Sequence, residues 1–203
     1  DPNYDHIYFV DSTPLLTDAS IYPVSSDETK FPGCDPSNYW KCEKKTTLNS
    51  STGALDVTGT SWRTILIGGM GLGGASRNST ATCSTTSDCV KTPIDGLGYS
   101  SYFALDVTNP DSPTFMWEFY INSALPGTLG YATAGPAIVR VGEKGKNGRW
   151  FAVFASGPTG PIDTPNKQFL GKSDQNLKLF IVDLATGELV RTIDTGLANA
   201  YAG

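Results

Sequence analysis

Apolar and polar residues alternate in short runs along this chain and do not recur at helical spacing. The runs "STPLLTDASIY" from 12, "SWRTILIGG" from 61, "SSYFALDVTNP" from 100 and "PTFMWEF" from 113 are followed by "AGPAIVRV" from 134, "GRWFAVFASG" from 148, "LKLFIVDLATG" from 177 and "ELVRTIDTG" from 188. Each is rich in β-branched and aromatic residues and is bounded by Gly, Pro, Asn or Asp, which is the pattern of short half-buried strands. No long apolar stripe with a helix cap interrupts them. An all-β fold is expected.

The runs also repeat as a set. Pro14 matches Pro136, Trp62 matches Trp150, and Asp106 matches Asp183, with Phe103 and Phe180 each three positions ahead of the aspartate. This reading gives one four-stranded antiparallel unit over 12–119, with insertions at 23–60 and 75–99. A second covers 134–196, with an insertion at 157–176. Tandem four-stranded units are the signature of β-propeller blades. Two blades do not close a ring of about four to eight, so residues 1–203 are expected to be one segment of a larger β-propeller. The long insertions are where binding residues are expected to concentrate.

Composition adds little to the pattern except at the cysteines. The 203 residues are 39% hydrophobic and only 17% charged, with 22 Gly and 13 Pro, a balance more typical of an extracellular β protein. The net charge of −5 without a basic cluster argues against nucleic acid as a partner, and no apolar run is long enough for a membrane span. Cys34 and Cys42 form one close pair and Cys83 and Cys89 another, neither at CxxC spacing. Four cysteines permit three pairings. The two local bridges are favoured here, because each would restrain a Ser/Thr/Pro-containing loop with few apolar residues of its own.

One motif invites a different chemistry. "WRTILIGGMGLGG" at 62–74 contains Gly69-x-Gly71-x-x-Gly74 after a strand, the outline of a dinucleotide cradle. Such a cradle needs a helix to follow, yet "ASRNSTATCSTTSDC" has no apolar stripe, and the matching "FASGPTGP" replaces donors with Pro158 and Pro161. The glycines read as strand-end turn residues. No catalytic constellation stands out: His6 is the sole histidine, and no G-x-S-x-G elbow accompanies it. Asp11, Asp106 and Asp183 read as carboxylates accepting turn N–H groups, with calcium ligation as the rival reading. Trp62, Trp117 and Trp150 are expected to pack between blades. Tyr39 and Trp40, beside Lys41, Lys44 and Lys45, have two readings of equal weight: a surface contact, or two rings packed onto a disulfide.

Taken in order, "YFVDSTP", "WRTILIGGMGLGG", "YFALDVTNPDSP", "MWEF", "LGYATAGPAIVRV", "GRWFAVFASG" and "LFIVDLATGELVRTIDTG" resemble the C-terminal β-propeller of PilY/PilC-type proteins, the type IV pilus biogenesis factors also regarded as tip adhesins. The resemblance covers residues 4–22, 61–74 and 98–197. It implies a quinoprotein-like propeller outside the cell or on the bacterial outer surface, non-catalytic, supporting pilus biogenesis and adhesion. Its implied partners are pilins or minor pilins, a host or abiotic surface, and the rest of the same propeller. The family's aspartate-rich calcium loop and the Arg-Gly-Asp motif of some members do not occur in this chain, and the cysteine-bearing insertions have no counterpart in the family pattern. No cofactor is therefore carried over, and calcium is assigned to the complete propeller only. The alternative is a quinoprotein oxidoreductase using pyrroloquinoline quinone and calcium, although the vicinal cysteine pair frequent in such enzymes is missing.

Overall fold

The computed structural model describes residues 10–24, 27–71, 101–121, 129–163, 168–173 and 175–203. Ten strands and one short 3-10 helix make up the described secondary structure. Strands β1 (Leu15–Ser20), β2 (Trp62–Gly69), β3 (Tyr102–Asp106) and β4 (Thr114–Phe119) form one antiparallel sheet in the order β1-β2-β3-β4. A second four-stranded sheet has β5 (Ala137–Val141), β6 (Arg149–Ala155), β9 (Lys178–Asp183) and β10 (Leu189–Asp194), in the order β5-β6-β9-β10. Each is an up-and-down meander in chain order, the shape expected of the repeated units. The second insertion carries a small hairpin of its own, β7 (Gly160–Asp163) with β8 (Gln168–Lys172).

The two sheets pack face to face over an aromatic core. Phe154 of β6 stacks on Tyr102 of β3 at 4.1 Å between ring centroids, lies 5.7 Å from Phe119 and meets Trp117 edge-on at 6.4 Å. Phe180 completes the cluster beside Phe119. These rings alternate in sequence with half-exposed positions, so period-two patterning delivers them to one face. The polar ends of the rings are satisfied across the junction. The Trp117 indole N–H donates to the Leu184 carbonyl at 2.8 Å, and the Tyr102 hydroxyl donates to the Ala134 carbonyl at 2.6 Å. Gly187, with φ +74°, leaves room for Trp117: a Cβ there would lie 2.6 Å from the indole's own Cβ and Cγ. The Trp117 side chain therefore rests directly on the β9–β10 turn.

Strand register identifies the true repeat. Asp106 pairs with Ile65, and Asp183 pairs with Phe151. Val107 N–H donates to Thr64 O at 2.9 Å, and Leu184 N–H donates to Trp150 O at 2.9 Å. An extra residue bulges the last strand at Met116 in one sheet and Val190 in the other. Anchored this way, Arg63 matches Arg149 and Thr64 matches Trp150. The sequence pairing of Trp62 with Trp150 is corrected accordingly, by two positions. Each strand tryptophan adjoins an arginine, in the order "WR" in one run and "RW" in the other, so matching the tryptophans displaces the arginines. The two rings nevertheless touch, edge to face at 6.4 Å, because both lie near the same end of adjoining sheets.

Each matched arginine meets the matched aspartate. Arg149 Nε lies 2.8 Å from Asp183, whose side chain is almost wholly buried, and Arg63 Nε lies 3.4 Å from Asp106. The same carboxylates accept the turn N–H groups of Ala185 and Thr108 at 3.0 and 2.9 Å. A buried carboxylate without such partners would be strongly disfavoured. Desolvation lowers the Arg63 pKa from its ordinary value, with Asp106 opposing the shift.

Two outcomes are expected. Phe154→Ala, by emptying the centre of the aromatic cluster, lowers unfolding free energy by about 3–5 kcal/mol in chemical denaturation. Asp183→Ala costs about 2–3 kcal/mol, and a double-mutant cycle with Arg149→Met returns a coupling of roughly 1–2 kcal/mol. A coupling near zero would mean that the ion pair is incidental to the fold.

Candidate functional site

Among the described residues, one end of both sheets gathers most of the irregular chain. The ends of β1, β3, β5 and β9 and the starts of β2, β4, β6 and β10 all lie there, together with the first insertion. Its first half is closed by a disulfide between Cys34 and Cys42, one of the two local bridges favoured from sequence. Cys83, Cys89 and His6 lie outside the described residues.

Within the bridge, residues Pro36–Lys41 form a 3-10 helix. Asp35 caps it, accepting from Ser37 N–H at 2.7 Å and from the Asn38 side-chain amide at 3.0 Å. The Ser37 hydroxyl, which also donates to Asp35, and then those bonds hold the Asp35 carboxyl below its ordinary pKa. The helix turns Tyr39 inward. At 2% exposure it is buried, and its oxygen accepts from Trp150 N–H at 3.1 Å while lying 3.4 Å from Asp183. Burial pushes the phenol pKa well above its usual value.

Tyr39 is thus no surface contact, which corrects one of its two sequence readings. The ring fills the junction, and its hydroxyl satisfies a backbone donor at the start of β6. Trp40 is half-buried, packs edge-on against Tyr39 at 5.5 Å, and carries the Arg149 guanidinium 4.7 Å over its ring. Beyond it, the backbone zips onto the β5–β6 turn. Gly148 and Asn147 N–H donate to Trp40 and Cys42 carbonyls, and Lys44 N–H donates to Gly145 O. Asn147 also donates its side-chain amide to Tyr22 O and Tyr39 O, both at 3.1 Å. The cysteine loop is therefore a clasp across the two sheets.

The second half of the insertion faces outward. Thr47 donates to Gly59 O at 2.7 Å, Leu48 bridges to Leu55, and the Asn49 side chain accepts Ser51 and Thr52 N–H groups. Gly53, at φ +69°, turns the tip. Asp56 accepts Thr58 N–H and its hydroxyl. The result is a self-bonded loop that leaves Leu48, Leu55 and Val57 exposed. Two open clefts flank its base. One, of about 390 Å³, is lined by Leu55, Trp62, Asp18 and Thr64; the other, of about 240 Å³, by Val57, Tyr22, Asp106 and Asn109.

Polar groups in these clefts are largely engaged with one another. Asp18 accepts the Thr64 hydroxyl at 2.7 Å, and Arg63 lies 3.8 Å over the Tyr22 ring while donating to Thr60 and Trp62 carbonyls. The remaining lining is mainly Thr, Ser and Asn, with Leu55, Val57, Tyr22 and Trp62 as its apolar part, a mixture suited to contact more than to proton transfer. Among the described residues, no group of three His, Cys, Asp or Glu side chains could hold a metal.

Asp106 and Asp183 close turns and hold arginines, whereas Asp11 lies against Gly71, where a Cβ would meet its carboxylate. Gly71 has φ +57° and donates its N–H to Ala132 O, and a Cβ on Gly69 would fall 2.7 Å from that same oxygen. These two glycines serve a close backbone approach. Sequence reasoning missed the matched arginines and the exposed aliphatic loop. The signals available were an arginine beside each strand tryptophan, and three aliphatic residues within a Ser/Thr/Gly-rich stretch.

No family model matches the chain. It is 31% identical over 137 residues to a type IV pilus biogenesis factor PilY1 homolog of Xylella fastidiosa, covering 66% of this chain and 6% of that protein. It is 25% identical over 201 residues to the type IV pilus biogenesis factor PilY1 of Pseudomonas aeruginosa strain UCBPP-PA14, covering 97% of this chain and 10% of the relative. The crystal structure of the Pseudomonas aeruginosa PilY1 C-terminal domain aligns with a TM-score of 0.38 and 23% identity, over 79% of this chain and 23% of that one. The chain spans a tenth or less of the length of these curated relatives. By sequence, the chain is similar over most of its length to PilY1-type type IV pilus factors.

Proposed function

We propose that this chain is a non-catalytic, surface-exposed part of a type IV pilus-associated protein, supporting pilus biogenesis and adhesion through its loops. The observation that carries the reading is the sequence match to PilY1 along 97% of the chain. The loops give it a physical form: a pair of packed sheets displays one self-bonded loop whose aliphatic flanks are open to solvent. Binding residues concentrate on such scaffolded loops, and exposed aliphatic groups gain by burial against a partner. The reading assigns pilins or minor pilins and a host or abiotic surface as partners, outside the cell. It assigns no cofactor to this chain, and any calcium dependence to other parts of the complete protein.

Adhesive contact is assigned to Leu48, Leu55 and Val57. The test replaces all three with serine in the full-length protein, expressed in piliated bacteria lacking their own copy. Exposed substitutions of this kind change stability by less than about 0.5 kcal/mol each, so surface pili are expected at normal numbers while attachment falls several-fold. Attachment equal to that of the unaltered protein would remove this loop from the adhesive surface.

A further inference from the structure

Seven of the chain's 15 lysines and arginines fall in two short stretches that lie far apart in sequence. "WKCEKK", residues 40–45, holds Lys41, Lys44 and Lys45, and "RVGEKGKNGR", residues 140–149, holds Arg140, Lys144, Lys146 and Arg149. Neither is a basic run in its own right. The fold joins them edge to edge: Gly148 and Asn147 N–H donate to the Trp40 and Cys42 carbonyls, Glu43 bridges to Lys146, and Lys44 N–H donates to Gly145 O at 2.8 Å. With Glu43 and Glu143 included, the joined strip carries a net charge of +5 in a chain whose total is −5. Asp35 and Asp183, which adjoin it, reduce the excess to +3 and leave −8 on everything else.

Part of this charge is used inside the fold. Arg140 donates to the Glu143, Lys146 and Asn147 carbonyls, Lys146 pairs with Glu143 at 2.9 Å, and Arg149 pairs with Asp183. Lys41, Lys44, Lys45 and Lys144 are exposed and make no ion pair among the described residues. Other carboxylates of this end are engaged locally, Asp35 with Ser37 and Asn38, and Asp56 with Thr58. Like charges gathered at one edge raise the potential there and attract an anion.

The larger cleft opens beside the lysines. Lys44 Nζ stands 6.0 Å over the Trp62 ring, and Trp62 and Thr46 line the cleft with Thr64, Thr108 and Asp18. Hydroxyls and a carboxylate beside an aromatic ring suit sugar hydroxyls, which both donate and accept hydrogen bonds. They do not suit a phosphate backbone, which Asp18 would repel. Base stacking is also poorly served, since Trp62 lies under Lys44 and against Trp150, and Trp40 lies under Arg149. Lys44 and Lys45 are consecutive, about 3.8 Å apart at Cα, so the ligand's own charges must be closely spaced.

We infer that this strip and the cleft beside it bind a sulfated polysaccharide, with sulfates on Lys44, Lys45 and Lys144 and sugar rings against Trp62 and the threonines. The site borders the loop of Leu48, Leu55 and Val57, but it rests on charge and cleft chemistry and not on the pilus reading.

The test uses purified full-length protein and immobilised heparin over a series of salt concentrations. The unaltered protein binds, more weakly as salt rises, and does not bind heparin stripped of its sulfates. Lys44→Ser combined with Lys45→Ser and Lys144→Ser weakens binding at low salt by roughly ten-fold or more and flattens its salt dependence. Lys30→Ser combined with Lys172→Ser and Arg191→Ser removes three exposed cations elsewhere, and changes affinity by less than about two-fold. All six side chains are exposed, so both variants are expected to fold. Lys45→Ser and Lys144→Ser singly, each lowering affinity about two- to three-fold, carry the test if the first triple variant folds poorly. Absence of heparin binding, an equal effect of the two triple variants, or equal binding of the desulfated chain overturns the inference. So does equally tight binding of a DNA duplex through the same three lysines, which would make nucleic acid the occupant. The readout involves neither bacteria nor pili, so its outcome is separable from that of the attachment experiment.

Discussion

A four-stranded sheet has two faces, and neither sheet here is stable with both of them wet. The contact that resolves half of this constraint is the packing of Phe154 among Tyr102, Trp117 and Phe119. Large rings bring the most apolar area per residue out of water, and their edge-to-face and offset geometry fixes how the sheets sit. The indole and phenol ends then find carbonyls at Leu184 and Ala134, which pins the sheets along the strand direction as well as across it. Everything at the loop end is positioned by this junction. The cysteine loop lies over the seam only because β1, β5 and β6 arrive there together.

The loop end combines two opposite uses of irregular chain. Residues 34–42 look inward, spending a disulfide, a capped 3-10 turn and a buried tyrosine on holding the seam closed. Residues 46–59 satisfy their own polar groups locally and turn aliphatic side chains to solvent. A loop that needs no help from its surroundings to satisfy its backbone can present apolar groups without loosening the scaffold beneath. That division separates stability from recognition within a single insertion.

Strand existence was legible because alternation of apolar and polar residues is a local property. The first sheet's β1, β2, β3 and β4 and the second sheet's β5, β6, β9 and β10 coincide with the alternating runs. The disulfide between Cys34 and Cys42 was also legible, as a short separation in a chain segment with little else to stabilise it. The repeat was legible in outline but slipped in detail. Trp62 and Trp150 are the most conspicuous shared side chains of the two runs, whereas hydrogen-bond register matches the arginines that neutralise Asp106 and Asp183. The hairpin of β7 and β8 was read only as an insertion, since Gly and Pro obscure its alternation.

The sequence by itself determined the class of fold, the four-stranded grouping and the family resemblance, because each depends on patterns carried within a few residues or on their order. Only the tertiary structure decided which face of each sheet is covered, and that Tyr39 points into the seam while Leu48, Leu55 and Val57 point away from it. Alternation says that a strand has two sides, but not which neighbour will come to lie on either. That choice depends on residues a hundred or more positions apart, such as Tyr39 with Trp150, being brought together by the stacking of the sheets.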